Sequence, residues 1–226
     1  MERDGRSDRR HHRQALSRAP LPRPATGSGG VAAIEAFLDR WLDVGRRLAR
    51  PLARAGGLLV LAAAFLVAVE VALRGLFAVS LGGADELSGY ALAIATSWGL
   101  PFVLLERGHV RVDSFYTRLP TRLVAALDVL ALAVLTAFLA LLGQRAGLVL
   151  ADTLAFGSRA TTPLATPLWI PQGLWFAGFV FHLLVALPLA SRALLALLRG
   201  DSSTVLRLAG SRTLAEEAAA ERRGMP

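Results

Sequence analysis

Few side chains in this 226-residue chain have the type and spacing to do chemistry. His109 and Asp113 are spaced i, i+4, as two metal ligands on one helix face would be. Gly108 directly before them signals a turn, however, and no second histidine lies near. They read better as groups that satisfy backbone in that turn. His182 falls in the middle of an apolar stretch, where an imidazole can ligate haem or hydrogen-bond to a neighbouring helix, and the second role is expected. Glu70 and Arg74 also share a helix face by their i, i+4 spacing. Arg74 and Glu86 bracket the short segment of residues 75–85. A pair between them would neutralise both charges and pin a hairpin; otherwise one of them meets a partner subunit. Glu70 is then either the partner of Arg74 or an intersubunit contact. Serine-nucleophile, paired-carboxylate and phosphate-loop patterns do not appear. Cysteine is absent, which excludes disulfides and thiolate chemistry. The expectation is no enzyme, no cofactor and no metal.

The elements that hold these groups are apolar. The chain is 54% hydrophobic with a mean hydropathy of +0.49, yet aromatics make up only 7%. Leu, Ala and Val in that proportion are the composition of membrane helices. All 25 basic residues are Arg, and the net charge is +8. In a soluble protein that balance would suggest nucleic acid. Here the arginines flank apolar spans, so they report orientation in a membrane.

The fold expected is all-α and integral to the membrane: four transmembrane helices preceded by an amphipathic interfacial helix. Residues 1–30, rich in Arg, Pro, Ser and Gly, read as a disordered tail. In residues 31–54, Val31, Ile34, Phe37, Leu38, Trp41 and Leu48 recur at helical spacing against Asp39, Arg40, Asp43 and Arg46. That is the pattern of a helix lying in the cytoplasmic interface, with Trp41 at headgroup level. Arg46-Arg47 precedes an apolar run, but three further spans argue against a cleaved export signal.

The four-helix domain occupies residues 55–199, with spans at about 55–78, 87–105, 121–150 and 169–198. The first reaches sufficient length only by continuing through Glu70 and Arg74. The second has no charge from Leu87 to Leu105, enough to cross about 30 Å. Arg107-Gly108 turns the chain, and a short surface helix should follow, with Val112, Phe115, Tyr116 and Leu119 on one face. Asp128 lies about 12 Å into the third span. Pro171 suits the first turn of the fourth. Residues 200–226 form a polar tail with a short Ala-Glu-rich helix. The arginine count is 12 through Arg54, none in residues 75–85, 4 in residues 106–122, 2 in residues 145–168 and 6 from Arg192. Rich and poor segments alternate, so both termini and the second loop are expected in the cytoplasm.

One stretch carries a resemblance. An acidic residue opens the second span (Glu86) and a glycine follows in its second half, in Trp98-Gly99. Next comes Arg107-Gly108-His109-Val110, then Val112-Asp113, then Leu119-Pro120. Arg74 with Phe77 closes the first span. This order resembles the small permease subunit of the TRAP (tripartite ATP-independent periplasmic) transporters of bacteria, over roughly residues 55–199. Gly83, where an aromatic is common, and Gly89, where an arginine is common, depart from it. The resemblance implies structural or subunit-contact roles for Glu70, Arg74, Glu86, Trp98, Gly99, Arg107, Gly108, His109, Asp113 and Pro120.

It also implies a function. A periplasmic binding protein captures an organic acid, and a large multi-span permease carries it inward on an ion gradient, typically Na⁺. The small subunit braces the large one in the inner membrane. From the residues alone, four spans without an internal repeat are few for a complete carrier. Two other readings are a four-helix membrane cytochrome, for which only His182 is well placed, and a membrane adaptor unrelated to transport.

Overall fold

The computed structural model describes residues 29–108 and 119–210. The tail before Gly29, His109 and Asp113, most of the expected surface helix, and the Ala-Glu-rich segment lie outside the described residues. Five helices are described: α1 (Gly29–Phe77), α2 (Ala84–Leu105), α3 (Thr121–Phe156), α4 (Trp169–Leu198) and α5 (Ser202–Ala209). The first four are each long and apolar enough to cross a membrane. The chain divides into two compact units at Phe37, so the first unit contributes only the opening turns of α1. The bundle belongs to the second, from Leu38 onward.

The amphipathic stretch and the first span are one helix. α1 runs on without a break through Pro51. Its 49 residues extend about 73 Å at 1.5 Å per residue, more than twice a hydrocarbon core. α3 continues to Phe156, past the expected end, and stops at Gly157, whose φ of 59° is the left-handed conformation that glycine adopts without strain. The end of α2 uses the same device with a bulkier residue: Arg107 takes φ 56°, and the Gly108 N–H closes onto the Val103 carbonyl at 2.9 Å. Pro120 precedes α3 with extended geometry, and its carbonyl accepts from Leu123 and Val124.

α4 is the centre of the second unit, packing against α2, α3 and α5. Small residues set its approach distances. A methyl group on Gly178 would lie 2.4 Å from Ser97 Oγ and 2.9 Å from the Ser97 carbonyl carbon. Only glycine lets α2 come so near. Ala186, Ala193 and Ala196 are buried on the same helix. By contrast, α1 keeps much of its apolar side outward, with Leu61, Phe65 and Leu76 exposed. It touches the bundle at glycines: Gly56 lies against the Ala95 backbone, and Gly45 lies between Val185 and Leu105.

The helices differ in length, and the difference has a direction. α2, at 22 residues, is about 33 Å long. Its last residue and Val185 both meet Gly45, so α4 runs on about 20 Å beyond that level. α5 packs on α3 and α4, burying Val205 and Ala209 in the core that holds Ala193 and Ala196. Asp201 caps α5, accepting from the Thr204 N–H at 3.0 Å and from the Thr204 and Ser203 hydroxyls. These donors, Thr204 first, hold its carboxyl at about 2, below the ordinary 3.8.

Candidate functional site

One group of chemistry-bearing residues gathers at an end of the bundle. At the end where α1 meets α2, Glu70 is only 4% exposed. Its carboxylate accepts from Arg74 Nη2 at 2.6 Å, Ser80 Oγ at 2.6 Å and the Leu81 N–H at 2.7 Å. A buried carboxylate is tolerable when donors and a cation surround it. The loop folds back to supply them, turning through left-handed residues at Ala78 and Gly82. Ser80 also accepts from the Gly82 N–H at 3.1 Å.

Glu86 has different partners. It accepts from the Tyr90 hydroxyl at 2.8 Å and from the Thr162 hydroxyl of the α3–α4 loop. The expected Arg74–Glu86 pair is therefore not formed. Glu70 lies one helical turn from Arg74 and already neutralises it, so the arginine has no need to reach across the loop. Thr162 instead ties the two hairpin loops together. Leu164 adds a packing contact, its Cδ1 sitting 2.3 Å from where a Cβ on Gly83 would be. A leucine from the other hairpin thus fills the space over Gly83. No atom comes within 4 Å of a Cβ placed on Gly89, so the arginine missing there leaves open space. Glu70, Arg74, Asp85, Glu86, Ser80 and Thr162 line a cleft of about 210 Å³.

The other candidates are spread out. Trp98 donates from Nε1 to the Leu174 carbonyl at 2.9 Å and stacks on Phe181 at 6.1 Å, joining α2 to α4. Gly99 faces open space. Arg107 donates to the Leu206 carbonyl at 3.4 Å, tying the end of α2 to α5. At that same end Arg50 pairs with Glu106 at 3.1 Å, and Arg192 with Asp39 at 3.2 Å. His182 and Asp128 are both buried within the protein, at 2% and 0% exposure. Trp41 donates from Nε1 to the Leu184 carbonyl at 2.8 Å. Sequence reasoning also passed over Ser80 and Thr162. Nothing local marks Thr162, which is 76 residues from Glu86. Among the described residues no three His, Cys, Asp or Glu side chains converge as metal ligands would.

Four helices of this length and apolar composition define a multi-pass membrane protein. A family model for the DctQ component of tripartite ATP-independent periplasmic transporters matches residues 63–196. The match runs from the second half of α1 to the last turn of α4, and the chain belongs to this family. It is thus a small membrane subunit of a TRAP transporter. No curated protein and no solved structure matches the chain.

Proposed function

We propose that this subunit braces the large permease of its transporter for uptake of an organic acid, which a periplasmic binding protein delivers and an ion gradient drives. It would lie in the bacterial inner membrane with both termini in the cytoplasm. The cleft of Glu70, Arg74 and Glu86 would then face the periplasm. One observation carries this reading: Glu70, Arg74 and Glu86 of the cleft are bonded within the chain itself, while α1 presents an apolar flank that is mostly exposed. Such a flank suits lipid or another membrane protein, and internally bonded charges offer no path to an anionic solute.

Reconstitution tests it. Vesicles holding this chain alone, with binding protein and a Na⁺ gradient, should take up no organic acid. Adding the cognate large subunit should restore uptake, and the two subunits should co-purify in mild detergent. Uptake by this chain alone, or full-rate uptake without it, would overturn the bracing role.

A further inference from the structure

α4 contains a proline as its twentieth residue, Pro188. Proline has no N–H, so it cannot donate to the carbonyl four residues earlier, that of Leu184. In apolar surroundings a carbonyl without a donor is costly. Leu184 O is the atom that Trp41 Nε1 reaches at 2.8 Å, from a position 143 residues away. The arrangement around it is consistent. Arg192 holds Asp39 at 3.2 Å across the same helix crossing. Gly45 lets the backbone of α1 approach, since even a methyl there would lie 3.3 Å from Val185 Cγ2. On α4, Ser191 Oγ donates back to the Leu187 carbonyl at 2.8 Å, giving the carbonyl just before the proline a side-chain donor.

We propose that Trp41 is a positioning residue that supplies the hydrogen bond Pro188 removes from α4, and so fixes where α1 crosses the bundle. The proline break is then a receptor site for one indole. A helix with an intact ladder would offer no carbonyl in need of a donor, and α1 would lose this one anchor beside its ion pairs and glycine contacts. The amphipathic stretch would owe its position to this bond as well as to attraction for a lipid surface. The family match begins at residue 63, so Trp41 lies outside it, and the inference concerns this chain's own residues.

The test is a double-substitution cycle on the purified full chain in bicelles, read as reversible unfolding in a detergent titration. Trp41→Phe keeps an aromatic ring and removes the donor together with the pyrrole part of the indole, a packing loss common to both backgrounds of the cycle. It should lower the folded-to-unfolded ratio by about tenfold, as for a helix carbonyl that loses its one donor away from water. Pro188→Ala restores the helical N–H to Leu184. In that background Trp41→Phe should change the ratio by less than about threefold. An equal penalty in both backgrounds, or none in either, would overturn the proposal. If Trp41→Phe alone yields no folded protein, recovery of folded chain in the Trp41→Phe/Pro188→Ala double variant supports it, and failure of both overturns it. Transport is not read, so this outcome stands apart from that of the bracing role.

Discussion

Arg74 donates to Glu70 at 2.6 Å, although the arginine side chain is 63% exposed and the carboxylate only 5%. The two ends of this bond therefore do different work. Glu70 is the buried hub of a loop, holding Ser80 and the Leu81 N–H as well as the arginine. Arg74 is a rim cation with one strong contact and a weaker one at 3.5 Å to Ser80. Removing the hub should cost more than removing the rim.

Glu70→Ala should accordingly lower the thermal midpoint of the purified protein more than Arg74→Ala does. The double change should cost less than the sum of the two. Arg74→Ala combined with Glu86→Ala should be additive, because Glu86 is held by Tyr90 and Thr162. Thr162→Val should couple to Glu86→Ala instead. Coupling of Arg74 to Glu86 larger than its coupling to Glu70 would contradict the observed bonding.

Two glycine-to-alanine changes should have opposite signs. Gly178→Ala puts a methyl within 2.4 Å of Ser97 Oγ and 2.7 Å of its Cβ, and should destabilise by about 1–3 kcal/mol. Ser97→Ala should not rescue it, since the Cβ and backbone of residue 97 remain in the way. Gly99→Ala meets nothing within 4 Å and should be neutral or stabilising by about 0.5–1 kcal/mol. Chemical unfolding of the three variants beside the parent decides this.

Asp201 makes the seating of α5 dependent on acid. Its carboxyl is held at about 2 against an ordinary 3.8, so the charged form is the one the fold prefers. The contribution is complete above about pH 4 and fades as pH falls toward 2. Amide exchange in α5 should be unchanged, after correction for intrinsic rates, from neutrality to about pH 4, and should accelerate below it. Asp201→Ala should remove that acid step and cost about 0.5–2 kcal/mol at neutral pH, the usual worth of an N-cap.

The arginine distribution predicts orientation. A reporter active only in the periplasm, fused after Gly82 or Ser158, should be active. Fused after Arg118 or Arg199 it should be silent. The reverse pattern would place the cleft of Glu70 and Glu86 on the cytoplasmic side, away from any periplasmic binding protein.

The four long apolar helices follow from the sequence by itself. A membrane demands about 20 apolar residues per span, and it demands that the backbone satisfy its own hydrogen bonds. Both requirements are met locally, so runs such as Leu87 to Leu105 declare themselves, and Arg107-Gly108 marks where one ends. The i, i+4 bond of Glu70 with Arg74 was equally open to view as a possibility, because one helix turn carries both. The tertiary structure chose among the possibilities. It joined the amphipathic stretch to the first span as one helix, since Pro51 did not end it. It gave Glu86 to Thr162 and the Leu184 carbonyl to Trp41, partners 76 and 143 residues apart. No periodicity encodes such pairs, because they depend on which helix faces meet and at what height. That is set by where Gly45, Gly56 and Gly178 let backbones approach, a property of the packed bundle and not of any segment within it.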